Sequence, residues 1–260
     1  IVSANYEQAL SQAQVFDQNP EVYQQSLLAG LPFLIKDLAT VNGMVTSYGS
    51  RLYEGVVSRN NANIVHRYID AGLVIFGKTN TPEFGLTLTT EPAANGATKN
   101  PWNLGYSTGG SSGGAAAAVA AGILPAAHAT DGGGSIRIPA ANCGLVGLKP
   151  SRGLTTIEDE LGGCWSGMSV GHVVSQTVRD SAAFLDIITL SKPNLFPLPS
   201  SPDSFLTEMN TQPRPLTIGV QLSHPMGQMV HSDCVDGVMA VAKHLSELGH
   251  SVEEITHPVN

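Results

Sequence analysis

Apolar positions along the chain recur in two ways, at helical spacing or in short unbroken runs, and the two patterns take turns. Across residues 5–18, Ala9, Ala13, Val15 and Phe16 fall near one helix face among polar neighbours, and Asp17 to Pro20 mark its predicted end. A short apolar run after Gly30, Leu31 to Leu38, is interrupted by Lys36 and Asp37. Adjacent charges are costly inside a strand unless they sit at its end or are paired, so they mark a candidate site. Between Asn63 and Ala71 the positions Ile64, Val65, Tyr68, Ile69 and Ala71 define one helix face. Asn63 is the expected cap and Gly72 the expected stop, ahead of a strand over Leu73 to Phe76.

Ser111 to Ala121 opens on Ser and Gly and continues as an alanine run, which predicts a closely packed helix ending near Gly122. A buried strand over Ile123 to Ala129 is expected next. Residues 191–215 hold six prolines and four serines and read as a surface connection. Beyond them come a strand over Leu216 to Val220 and a helix over Val235 to Leu248. That helix carries a stripe of Val238, Val241, Ala242, Leu245 and Leu248 and is closed by Gly249, and a further strand begins at Ser251. No internal repeat is visible. The alternation predicts a layered α/β architecture with a mixed, mostly parallel sheet flanked by helices, in one domain over residues 1–260.

Charge narrows the function. Lys+Arg number 13 against 21 Asp+Glu, and a net charge of −8 repels phosphate backbones, so nucleic acid is not an expected partner. The longest apolar stretch, Ala115 to Ala129, contains Gly122 and Pro125 and is too short to span a membrane. The three cysteines, Cys143, Cys164 and Cys234, form no C-x-x-C pair, so neither a zinc site nor a disulfide framework is indicated and a reducing, cytoplasmic setting is expected.

Two glycine and serine clusters dominate the middle of the chain, Gly109-Gly110-Ser111-Ser112-Gly113-Gly114 and Thr130-Asp131-Gly132-Gly133-Gly134-Ser135-Ile136-Arg137. Neither is followed by the lysine of a phosphate loop, which counts against nucleotide binding. A glycine triplet before a serine has another use, because backbone without Cβ can turn several N–H groups toward one point beside the hydroxyl and so form an oxyanion hole. One such loop alone is more often an ordinary turn. Two of them, with a lysine embedded in an apolar run upstream, form a pattern.

The stretches GGSSGGAAAAVAAG and ATDGGGSIRIPAANCGLVGLKP resemble the signature of the amidase signature enzymes, and the likeness extends through Gly77 to Phe84 and Asn100 to Asn103. The resemblance implies an α/β amidase signature fold, incomplete in this chain at both ends, and a serine amidase that needs no metal or cofactor. It implies Ser135 as nucleophile, Ser111 as relay after a cis Gly110–Ser111 peptide, and Lys36 as base. The N–H groups of Gly132, Gly133, Gly134 and Ser135 are the expected oxyanion donors. Ser112, Asp131 and Arg137 are read as loop support, Ser112 as a helix cap or else a relay member, and the other two as a pair that shapes the loop.

The residues support the same chemistry independently. A serine is a poor nucleophile until a base takes its proton, and His66, His128 and His172 stand in unrelated contexts. A lysine serves if its amine is neutral, a form that burial favours. The bland alternatives are a Lys36–Asp37 pair at a strand end, a core His128, a small buried Cys143, and Trp102 and Trp165 as core or pocket wall. Ile138 after Ser-Ile-Arg, where amidotransferase A-type subunits carry glutamine, favours a general amidase. Thr89 to Pro92 and Gly96 to Leu104 resemble the branch named for 6-aminohexanoate cyclic dimer hydrolase. The expected substrate is a linear or cyclic carboxamide, and a homodimer stays open. The alternatives are a glutaminyl-tRNA amidotransferase A-type subunit or a non-catalytic assembly subunit. Residues 1–260 alone are expected to show weak or no activity.

Overall fold

In the computed structural model, residues 1–19, 21, 26–155, 164–190, 201–224 and 226–256 are described. They group into two compact units, Ile1–Met209 and Asn210–Asn260.

The first unit begins with β1 (Ser3–Ala4) and α1 (Tyr6–Gln18), which Asn5 caps by accepting the Gln8 N–H at 3.2 Å. β2 (Pro32–Lys36) and β3 (Val74–Thr79) run parallel and are joined through α2 (Asn63–Asp70); β1 lies antiparallel on the other side of β3. A parallel pair needs such a crossover. Ala62, not Asn63, occupies the cap position of α2, and Asn63 lies inside the helix. β3 runs past the predicted Phe76 to Thr79, because Lys78, which breaks the apolar run in sequence, is buried against a carboxylate.

A hairpin of β4 (Lys99–Asn100) and β5 (Asn103–Ser107) precedes α3 (Gly113–Ala120) and β6 (Ala126–Asp131). β6 starts three residues later than the apolar run suggests. Gly122 at φ 73 and the imino acid Pro125 keep that stretch in a turn, and Ile123 is exposed. Gly114 is needed where it stands, since a Cβ there would strike the backbone of Asn80 and hold α3 off β3. α4 (Arg137–Cys143), β7 (Val146–Gly147), β8 (Val170–Ser175), α5 (Val178–Ile188) and α6 (Phe205–Glu208) follow. β8 lies between β6 and β7, antiparallel to both.

Pairing in this unit is therefore mixed, with β2/β3 parallel and β1/β3, β4/β5, β6/β8 and β7/β8 antiparallel. The core gathers where Phe33 of β2 stacks on Phe184 of α5 with centroids 5.1 Å apart and meets Tyr68 of α2 in a tilted pair at 4.7 Å. Such rings bury the largest apolar areas available to a core. Of the predicted surface connection, residues 191–200 lie outside the described residues. The part that follows includes α6, held where the Phe205 N–H donates to Asp186 Oδ1 at 2.6 Å.

The second unit holds β9 (Thr217–Val220), α7 (Ser232–Glu247) and β10 (Ser251–Glu254), with β10 parallel to β9. Of the predicted α7 stripe, Ala242 is buried while Val238, Val241 and Leu248 are exposed. A two-stranded sheet is too narrow to cover a full helix face.

Candidate active site

Three chain segments converge in the first unit: the end of β2, the turn that leads into α3, and the end of β6 with the loop after it. Lys36, the last residue of β2, is fully buried, and its Nζ donates to Ser111 Oγ at 2.7 Å and to Thr130 Oγ1 at 2.9 Å. Its backbone N–H donates to His128 Nδ1 at 3.2 Å. His128 and Thr130 are two apart on β6 and so face the same way, both toward β2. One strand therefore holds the main chain and the amine of Lys36 together.

Ser111 follows a cis Gly110–Ser111 peptide and is buried. With Ser135, which is 8% exposed, and Thr130 it lines a cavity of about 180 Å³ whose other walls include Leu38, Tyr48, Phe84, Gly132 and Trp165. Ser112 stands at the cap position of α3, but its side chain does not cap the helix. Its hydroxyl instead donates to the Thr130 carbonyl and accepts the Thr130 N–H, both at 3.3 Å. The expected capping role is corrected: a buried strand backbone lies within reach and takes the hydroxyl.

Asp131, fully buried, organises the loop that carries Ser135. It accepts Arg137 Nε at 2.8 Å and Nη2 at 2.9 Å, together with the N–H groups of Gly134 at 2.8 Å and Ile136 at 3.3 Å. Burial pushes the Asp131 carboxyl upward, but the Arg137 hydrogen bonds and the two N–H groups outweigh it and hold the group below the usual carboxylate range. The Arg137 guanidinium is correspondingly raised, first by its hydrogen bonds to Asp131. Because the Gly134 N–H is committed to Asp131, Gly134 is removed from the expected oxyanion donors.

Asp37 forms an ion pair with Lys78 of β3 at 3.2 Å, and both side chains are buried. Lys78 also donates to the Ala39 carbonyl at 2.6 Å and to Thr46 Oγ1 at 2.9 Å. Asp37 in turn accepts the Ser47 N–H at 3.1 Å.

His128 is held well below the usual imidazole range, first by burial and then by the nearby charges of Lys36, Lys78 and His172. Its Nδ1 accepts a backbone N–H, which makes it the neutral tautomer protonated on Nε2; Nε2 has no partner among the described residues. His172, whose Nε2 lies 3.0 Å from Ser181 Oγ, is lowered to about 3 by burial. Burial pushes the Cys143 thiol up to about 11, in line with a small buried hydrophobe. Trp102 is exposed and is neither core nor part of this cavity; its Nε1 donates to the Cys143 carbonyl at 2.8 Å.

Two residues of this constellation escape sequence reasoning. Thr130 looks like part of a turn cluster, although period-two spacing from His128 places it on the Lys36 side. Lys78 stands in an apolar strand as Lys36 does, but its partner is set by the β2/β3 register.

A family model described as Amidase matches residues 1–260. The chain is 40% identical over 237 residues to the 6-aminohexanoate-cyclic-dimer hydrolase of Paenarthrobacter ureafaciens, a match covering 87% of this chain and 47% of that protein. A solved structure of 6-aminohexanoate cyclic dimer hydrolase superposes with TM-score 0.89 at 36% identity, over 98% of this chain and 53% of that one. A bacterial aryl acylamidase belonging to the amidase signature enzymes superposes with TM-score 0.87 at 29% identity, over 98% and 53%. The chain spans about half the length of these relatives, and its layered α/β architecture is theirs.

Proposed function

The chain belongs to the amidase family, and from that premise we propose that it is the catalytic part of a hydrolase that cleaves a linear or cyclic carboxamide to acid and amine. In this reading Ser135 Oγ attacks the amide carbonyl, its proton passes to Ser111, and the Ser111 proton passes to a neutral Lys36 amine. The tetrahedral oxyanion is received by main-chain N–H groups, with Gly132, Gly133 and Ser135 as candidates once Gly134 is set aside. The C–N bond then breaks as the leaving amine takes the proton back through Ser111. Water, deprotonated by the same relay, releases the acid from the acyl-enzyme.

The observation that carries the reading is the 2.7 Å bond from a fully buried lysine to Ser111, which opens onto the cavity that Ser135 lines. A lysine used as general base has to be shed of its proton, and burial among hydroxyls favours that form. The closeness to 6-aminohexanoate cyclic dimer hydrolase supports a neutral, compact amide as substrate. Turnover of a panel of linear and cyclic amides by the full-length protein and by Ser135→Ala tests it. The variant is expected to lose turnover by at least about 10³-fold; equal turnover by both proteins would refute the assignment.

A further inference from the structure

Among the described residues, the non-glycine positions with positive φ are Tyr48 at 54°, Phe84 at 53° and Trp165 at 52°. All three are aromatic, and all three line the cavity that Ser111 and Ser135 share. The left-handed region brings Cβ against the carbonyl oxygen, so bulky residues seldom occupy it and sites of function are where they do. Three such residues around one cavity call for a reason.

The surroundings brace two of the rings against each other. The Phe84 N–H donates to the Tyr48 carbonyl at 2.8 Å, and Tyr53 packs edge-on against both rings, with centroids 5.2 Å from Tyr48 and 6.1 Å from Phe84. Each of the two is followed by a glycine that also has positive φ, Gly49 at 67° and Gly85 at 70°. A Cβ on Gly49 would come 2.5 Å from the Thr81 carbonyl oxygen, and one on Gly85 would come 2.7 Å from Leu38. Trp165 lies close against the nucleophile loop, where a Cβ on Gly132 would come 2.9 Å from the indole. The polar part of the lining is made of hydroxyls, from Ser111, Thr130, Ser135 and Ser169, and no ionised side chain lines the cavity among the described residues.

We propose that Tyr48, Phe84 and Trp165 form a fixed aromatic wall that selects the group beside the scissile carbonyl, admitting uncharged amides with an alkyl or aryl flank and rejecting amides that carry a charge there. The proposal rests on the hydrolytic reading above and adds the substrate class. An alkyl or aryl flank loses water against three rings, whereas an ammonium or carboxylate would be stripped of water with no counter-charge on the wall. Tyr53 braces the Tyr48 and Phe84 rings before substrate arrives, so that part of the wall needs no rearrangement to select.

The test compares kcat/KM of the full-length protein for hexanamide, 6-aminohexanamide, adipic monoamide and acetamide, in wild type, Phe84→Ala and Trp165→Ala, with fluorophosphonate labelling of Ser135 alongside. Wild type is expected to favour hexanamide over both charged amides by at least about tenfold, and each variant to lower the hexanamide to acetamide ratio by about tenfold. If Phe84→Ala does not fold, the half-exposed Trp165→Ala carries the comparison. Labelling at Ser135 with no preference against charge, or unchanged ratios in the variants, overturns the wall and leaves the hydrolytic reading intact. Faster turnover of 6-aminohexanamide also overturns it, since the rings would then be acting as a cation-binding face. Absence of both labelling and turnover removes the two readings together.

Discussion

Two lysines on adjacent, paired strands, Lys36 of β2 and Lys78 of β3, are both fully buried but meet different chemistry. Lys78 faces a buried carboxylate at 3.2 Å, a carbonyl and a threonine hydroxyl. Lys36 reaches the hydroxyls of Ser111 and Thr130 at 2.7 and 2.9 Å. A carboxylate partner favours the ammonium and ties it to structure, while hydroxyls can pass a proton onward. The contrast fits a structural role for Lys78 and, on the proposed reading, a catalytic one for Lys36, and it can be broken at several points.

The largest effect is expected from Lys36→Met. Turnover of an amide substrate should fall by roughly 10²- to 10⁴-fold, as for loss of a general base, while thermal unfolding shows a folded protein. Turnover within a few-fold of wild type would break the contrast. Lys78→Met should do the reverse. It strands Asp37 without its cation, a change that costs about 3–5 kcal/mol of stability by denaturant titration. Labelling of Ser135 should persist wherever the variant is folded, and a variant as stable as wild type would contradict the structural role.

Acid sharpens the same comparison. His128 lies near both lysines, and His128 and His172 are depressed in the folded state, chiefly by burial. A histidine with a lowered folded value binds its proton more readily when unfolded. Its contribution is therefore full above the ordinary imidazole value of 6.5 and is lost as pH falls toward about 3, the folded value for His172. The slope is about 1.4 kcal/mol per pH unit for each group, and a stability profile flat from neutrality to pH 4 would contradict it. The smallest effect is expected from Thr130→Val, which removes one hydroxyl from Lys36 at a cost of about 1 kcal/mol and a few-fold drop in turnover.

Apolar patterning alone places α1, α2 and α7, through helical repeats, and β2, through an unbroken run, to within a few residues. The two glycine and serine clusters are equally visible, since closely approaching backbone needs those residue types. What cannot be read is what depends on register and reach. The Asp37–Lys78 pair needs β2 and β3 side by side, and the turn of Ser112 toward Thr130 needs β6 beside α3. The commitment of the Gly134 N–H to Asp131 belongs to the loop's own closure. The aromatic wall is likewise hidden, because positive φ at Tyr48, Phe84 and Trp165 leaves no mark on residue type.

The division of labour between the two lysines is tested most directly by the rate at which a fluorophosphonate labels Ser135 in wild type, Lys36→Met and Lys78→Met of the full-length protein, at a temperature where all three are folded. Labelling is expected in wild type and Lys78→Met and to slow by at least about 10²-fold in Lys36→Met. Equal labelling of Lys36→Met and wild type would contradict it.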